Sequence, residues 1–155
     1  MRIGFGYDVH KLTVGKPFVI GGITIPHEKG GEGHSDADVL IHAIMDALLG
    51  AAAMRDIGCH FPDTDPAYKN IDSKTLLMKT LVMIRDGGFE IGNIDCTVSL
   101  QHPKISPYIP KMQEALCDVM QISQDRLSIK AKTAEHLGFI GRSEGIAAYA
   151  VALLT

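Results

Sequence analysis

The sequence predicts an α/β (α+β) protein: a mixed β-sheet with helices packed on one face. Three observations predict it. Segments with apolar residues at period two are interleaved with segments at period 3.6. Their order along the chain is ββαα-βα-ββ. The length of 155 residues, with 46% hydrophobic and 21% charged side chains, suits one ordinary domain spanning 1–155 with a sizeable core.

Residues 2–10 read as the first strand. Residues 18–25 read as a second, with Gly15 and Pro17 as turn punctuation before it. Residues 26–37, rich in Gly, His and Asp, read as loop. A helix is expected over 38–53, because Val39, Leu40, Ala43, Ile44, Ala47 and Leu48 fall on one side of it. Residues 55–71 carry Pro, Gly and Asp without periodicity, a loop long enough to be functional. A second helix is expected over 73–86, capped by Asp72 or Ser73 and ended by Gly87. In the strand at 89–101, Ile94, Cys96, Val98 and Leu100 alternate with Asp95, Thr97 and Ser99. Pro107 and Pro110 open a third helix at 107–121. Two more strands follow at 126–133 and 144–154.

Bulk properties exclude several functions. The net charge of −3 gives no reason to expect a nucleic-acid partner. No apolar run reaches the roughly 18 residues of a membrane span. Cys59, Cys96 and Cys117 are odd in number and form no C-x-x-C pair, which suits a reducing compartment. They are expected as small core residues. Met78, Met83, Met112 and Met120 are likewise expected in the core. The N-terminus reads directly as a strand, not as a signal peptide, so the expected location is cytoplasmic, or the plastid stroma if a transit peptide has been removed.

One constellation carries chemistry. Asp8 and His10 lie two apart in a strand pattern and share a face. His42 sits in the first helix, and Asp38, His42 and Asp46, four apart, share a face distinct from the apolar one. Two imidazoles and one carboxylate suit zinc and leave a fourth position open, the catalytic pattern. Asp46 is placed to orient the free imidazole nitrogen of His42. On spacing alone this reading stands beside a plainer one, unrelated surface or core histidines. The run Gly33-His34-Ser35-Asp36-Ala37-Asp38 also has two readings. Ser35 or Asp36 caps the helix, or His34, Ser35 and free N–H groups face an anion. Gly4-Phe5-Gly6 lacks the third glycine of a dinucleotide fingerprint, and no P-loop, G-x-S-x-G or H-E-x-x-H is present.

Five separated segments, in order, resemble one family over the whole chain. They are Gly6-Tyr7-Asp8-Val9-His10; Gly33 to His42; Asp56-Ile57-Gly58 with Phe61-Pro62-Asp63-Thr64-Asp65-Pro66; Lys130 to Glu135; and Leu137-Gly138-Phe139 with Gly141-Arg142-Ser143-Glu144-Gly145. The family is the 2-C-methyl-D-erythritol 2,4-cyclodiphosphate synthases of the non-mevalonate isoprenoid pathway. The resemblance implies a homotrimer assembled around its sheets, with active sites between subunits, that converts 4-diphosphocytidyl-2-C-methyl-D-erythritol 2-phosphate to the cyclic diphosphate and CMP. It implies Asp8, His10 and His42 as zinc ligands and Glu135 as ligand of a second ion, Mg2+ or Mn2+. It implies His34 and Thr133 as donors to the transition state. His34, Ser35, Asp56, Gly58 and Asp63 match the methylerythritol phosphate pocket, with Ile57, Phe61 and Asp65 as further expected substrate-binding residues. Leu100, Lys104, Ile105, Ser106, Ala131 and Thr133 match the cytidine diphosphate pocket of a neighbouring subunit, with Lys132 as a further expected substrate-binding residue. Lys132 stands where some relatives have a small polar residue, adding charge near the diphosphate. Arg142 and Glu144 match positions near the trimer axis, where relatives can hold an isoprenoid diphosphate, and Phe139 and Arg142 are further expected substrate-binding residues. Two other readings of the same ligands are a zinc phosphohydrolase and a trimeric isoprenoid-diphosphate binding module with structural zinc.

Overall fold

A computed structural model describes residues 1–155. The chain folds as β1 (Arg2–Val14), β2 (Phe18–Ile20), β3 (Ile23–Ile25), β4 (Lys29–Glu32), α1 (Val39–Ala51), α2 (Ile57–His60), α3 (Ser73–Asp86), β5 (Ile91–Ser99), α4 (Ile109–Met120), β6 (Leu127–Lys132), α5 (Gly138–Gly141) and β7 (Gly145–Leu154). Five strands form one mixed sheet in the order β4-β1-β7-β5-β6, and β2 and β3 form a separate hairpin. Only β5 and β6 are parallel.

The two faces of the sheet differ sharply. On β1, Gly4 and Gly6 are buried, and this face continues through Asp8 and His10 toward buried Leu12. The alternate residues Ile3, Phe5, Tyr7 and Val9 are exposed. On β7 the residues Ala148, Ala150 and Ala152 are buried against the helices, whereas Tyr149 and Val151 are exposed. All of the larger helices therefore cover one face, as the period-two pattern predicts.

α1 is the central helix of that layer. Its expected apolar side is buried, but so are Ile41, His42, Met45 and Leu49. The Asp38–His42–Asp46 face is thus not a solvent face: Asp38 is fully buried and His42 is 7% exposed. α1 is enclosed because α3 and the 52–72 segment lie over its far side.

Several boundaries differ from expectation. The segment 18–25 is two short strands joined at Gly21 and Gly22, both at positive φ, a turn conformation that only glycine adopts cheaply. The expected loop at 26–37 contains β4, paired with the end of β1. The expected loop at 55–71 contains α2 and a 3-10 turn at Pro66–Tyr68. Asp38, not Ser35 or Asp36, caps α1: its carboxylate accepts from the Ile41 N–H at 3.0 Å and from the Gly22 N–H at 2.7 Å. Asp72 and Gly87 bound α3 as expected. Cys96 and Cys117 are core residues, whereas Cys59 is exposed because it sits on the short α2 at the surface. Met112 and Met120 are fully buried, but Met78 is exposed on the outer side of α3.

Candidate functional site

The site begins with a close approach of β1 to α1. A Cβ on Gly4 would lie 1.9 Å from the Ala47 carbonyl oxygen, and one on Gly6 would lie 1.9 Å from that of Ala43. Without side chains, strand and helix meet backbone to backbone. His42, one residue before Ala43, is thereby carried to Asp8 and His10, which continue the same strand face beyond the glycines.

The three side chains converge. Asp8 Oδ2 lies 2.9 Å from His10 Nε2 and 2.9 Å from His42 Nδ1, and the two ring nitrogens are 3.2 Å apart. Ligands of a tetrahedral zinc at roughly 2.0–2.1 Å stand about 3.3 Å apart, so this triangle fits one face of such a tetrahedron. The donor chemistry agrees. The His10 Nδ1 faces the Glu32 carbonyl oxygen at 3.1 Å. A carbonyl only accepts, so Nδ1 carries the hydrogen and the Nε2 lone pair faces the cluster. Two imidazole nitrogens and a carboxylate oxygen at these distances form a cation site.

The electrostatics reflect the same convergence. Burial works to raise the Asp8 carboxyl, but hydrogen bonds and charge from His10 and His42 outweigh it and hold it well below the usual carboxylate range. Burial works to lower the His10 imidazole, and the Asp8 carboxylate outweighs that and raises it.

The cluster opens into a cavity of about 460 Å3. The helix-preceding loop contributes Gly33, His34 and Ser35 to its lining, and the 57–63 segment contributes Ile57, Gly58, Phe61 and Asp63. His34 is oriented by the Asp65 carbonyl oxygen, 3.2 Å from its Nε2. Asp56 and Asp65 do not line the cavity. They cap the short turns that shape it, accepting from the Cys59 and Ala67 N–H groups respectively. Asp56 is held below its ordinary value chiefly by its hydrogen bonding to Cys59.

Asp46 does not touch His42. Its carboxylate accepts from the Ile57 N–H at 2.8 Å and so ties α1 to the start of α2. The free nitrogen of His42, Nε2, meets Ser73 Oγ at 3.0 Å and Ser35 Oγ at 3.1 Å instead. Ser73 escaped sequence reasoning because helix capping already accounted for it. Met45, Tyr68 and Leu76 also line the cavity unforeseen, since each reads as an ordinary core residue.

A second, smaller cavity of about 240 Å3 is lined by Leu100, Lys104, Ile105, Ser106, Ala131, Lys132 and Thr133. Buried Gln101 and Pro103 join that lining without having been foreseen. Within one chain the two cavities share no lining residue. Glu135 accepts from the Thr133 hydroxyl at 2.8 Å and lies outside the three-ligand cluster. Phe139 and Arg142 line neither cavity; Arg142 pairs with Glu144 at 2.9 Å on the surface.

Fold and cluster together define a metal-dependent α/β enzyme. The chain belongs to the YgbB family, whose model matches residues 1–155. The 2-C-methyl-D-erythritol 2,4-cyclodiphosphate synthase of Porphyromonas gingivalis is 60% identical over 153 residues, 99% of this chain and 94% of that one. The enzyme of the same name from Bacillus cereus is 56% identical over 99% of this chain and 97% of its own length. A solved 2C-methyl-D-erythritol-2,4-cyclodiphosphate synthase superposes with a TM-score of 0.92 at 35% identity, covering 99% of this chain and 100% of that one. The bifunctional IspDF of Campylobacter jejuni superposes with a TM-score of 0.95 at 40% identity, covering 99% of this chain and 42% of the longer one.

Proposed function

We propose that this chain, acting as one catalytic unit over 1–155, closes 4-diphosphocytidyl-2-C-methyl-D-erythritol 2-phosphate into 2-C-methyl-D-erythritol 2,4-cyclodiphosphate and releases CMP. The observation that carries the proposal is the convergence of Asp8, His10 and His42 on one point at the wall of a cavity large enough for a sugar-alcohol phosphate. The names of the full-length relatives support it.

The nucleophile belongs to the substrate. An oxygen of the 2-phosphate attacks the β-phosphorus, the bond from that phosphorus to the α/β bridging oxygen breaks, and CMP leaves with that oxygen. The attacking oxygen is already anionic at neutral pH, so no protein base is needed. The barrier is charge repulsion and folding of the substrate, and both are problems of positioning. Asp8, His10 and His42 would hold zinc, which supplies charge neutralisation at the phosphates. Glu135 would hold Mg2+ or Mn2+ together with substrate phosphates, as such ions commonly bind. With substrate bound, His34 and Thr133 would donate to developing charge in exchange for the Asp65 carbonyl and the Glu135 carboxylate that take their hydrogens in its absence. The 57–63 segment holds the methylerythritol end. Leu100, Lys104, Ile105, Ser106 and Ala131 receive the cytidine diphosphate, with Lys132 adding charge beside it.

The complete site in this reading is built by two copies, the metal cavity of one against the nucleotide cavity of the next, and the lack of any shared lining residue within one chain supports it. The proposed assembly is a cytoplasmic homotrimer with Arg142 and Glu144 toward its axis, a place for an isoprenoid diphosphate, and with Phe139 and Arg142 as further substrate contacts. The test is product analysis with pure protein. Equimolar CMP and cyclic diphosphate are expected, with both lost in His42→Ala. Ring-open phosphates would make the protein a phosphohydrolase instead.

A further inference from the structure

We propose that Ser73 and Asp36 form a positioning relay that fixes which nitrogen of His42 is free to bind the metal. The inference rests on the metal reading above and concerns residues that neither hold the ion nor touch substrate.

The chain of contacts has a direction. Asp36 sits in the loop before α1 and its carboxylate faces the start of α3. Oδ2 accepts from the Ser73 N–H at 2.9 Å, and Oδ1 accepts from the Ser73 hydroxyl. Oδ1 also accepts from the Asp38 N–H at 3.2 Å. A carboxylate offers no hydrogen, so the single hydroxyl proton of Ser73 is spent on Asp36. What Ser73 presents to His42 Nε2, 3.0 Å away, is a lone pair. Nε2 must then carry the ring hydrogen, which leaves the Nδ1 lone pair facing Asp8 Oδ2 and His10 Nε2, three acceptors that suit a cation between them. The other tautomer would set lone pair against lone pair at Nε2. Reversing Ser73 to relieve that would turn its lone pair toward the carboxylate.

Burial makes the direction matter. Ser73 is fully buried and His42 nearly so. No water competes to satisfy a mismatched pair, and a buried mismatch is costly. Ser35 Oγ, 3.1 Å from the same nitrogen, is the one group able to favour the opposite tautomer by donating to Nε2. It accepts from the Ala37 N–H at 3.3 Å and is only half-buried, so its proton is free to turn elsewhere. Ser35 takes either role, whereas Ser73 has one. The relay thus links the loop before α1, the first residue of α3 and the metal ligand of α1.

Zinc affinity measured by competition with a chromophoric chelator tests this, with 15N NMR of the histidine rings in zinc-loaded protein as a readout independent of activity. The parent is expected to show His42 as the Nε2–H tautomer. Ser73→Ala is expected to weaken zinc binding about 10- to 100-fold, and Ser73→Thr, which keeps the hydroxyl, to restore most of it. Asp36→Ala removes the acceptor of the Ser73 hydroxyl, lets that hydroxyl donate to Nε2, and is expected to weaken zinc binding by a similar factor. Zinc binding by Ser73→Ala within twofold of the parent would overturn the relay while leaving the metal site intact. Zinc held through Nε2, with the hydrogen on Nδ1, in the loaded parent would overturn it even if Ser73→Ala fails to fold. A folded parent that binds no zinc would defeat the metal reading itself.

Discussion

Glu135 occupies a turn the backbone does not adopt freely. It has φ of 50° and the next residue, His136, has φ of 62°, two consecutive non-glycine residues in the left-handed region. Buried Gln101 holds the turn by accepting from the His136 N–H at 3.3 Å, and the Thr133 hydroxyl orients the Glu135 carboxylate. A carboxylate held this way is preorganised for charge rather than for packing. Glu135→Gln keeps the shape and removes the charge. It is expected to lower kcat about 100-fold while the zinc content of the purified protein stays unchanged. Loss of zinc in proportion to the rate would place Glu135 in support of the zinc site instead. Asp8, His10 and His42 were legible in the sequence as a candidate cluster, but strand period and helix position left them beside a plainer reading, and the family resemblance is what singled them out as ligands. Ser73 and Gln101 were not legible. Each works through a residue distant in sequence, and spacing along one element carries no trace of such a contact.

At the scale of elements, glycine has opposite meanings in different places. Gly21 and Gly22 break 18–25 into a hairpin, yet the flanking apolar run reads as one strand. Gly30 and Gly31 suggest loop, yet they lie in β4, where a Cβ on Gly30 would sit 1.9 Å from the Pro17 carbonyl oxygen. Glycine is there for close approach, not for flexibility. Gly4 and Gly6 matter most, because they set the distance between β1 and α1 on which the metal triangle depends. Gly6→Val must push the helix away or bend the strand. It is expected to cost about 3 kcal/mol or more, read as a lower denaturation midpoint, and to weaken zinc binding at sites it does not touch. Unchanged zinc affinity in a folded Gly6→Val protein would uncouple the helix–strand approach from the site. Asp38 anchors the same helix to the β2–β3 turn. Burial raises its carboxyl above the ordinary range, against the hydrogen bonds from Gly22 and Ile41. A raised native value means that Asp38 favours the fold most below the unfolded carboxyl range, about pH 4, and loses that contribution as pH rises through the native value. Its cap is nevertheless needed at neutral pH. Asp38→Ala leaves two buried N–H donors without acceptors and is expected to cost about 2 kcal/mol by urea denaturation.

The whole molecule presents an apolar sheet face with nothing on it. Ile3, Phe5, Tyr7 and Val9 on β1 stand beside Tyr149 and Val151 on β7, and Phe5 is 63% exposed. Tyr7 and Tyr149 pair ring to ring across the strands at 5.1 Å. Scattered apolar residues on a surface are ordinary, but six on one contiguous face mark a contact. The metal cavity and the Lys132–Thr133 cavity fall in separate parts of a chain, so packing copies through this face is what would complete a site. Phe5→Glu is therefore expected to lower the mass in solution from trimer to monomer and to abolish activity. Zinc binding should remain, since all three ligands come from one chain. A sharper test uses two inactive proteins. His42→Ala lacks the metal half and Glu135→Gln lacks the second-ion half. In mixed trimers, an interface pairing the intact metal half of one subunit with the intact Glu135 of the next restores one site of three. With random mixing three quarters of the trimers are mixed, so co-expression in equal amounts is expected to recover about one quarter of parent activity. Both halves lying in the same subunit would give no recovery at any mixing ratio, because every chain would then carry a broken site.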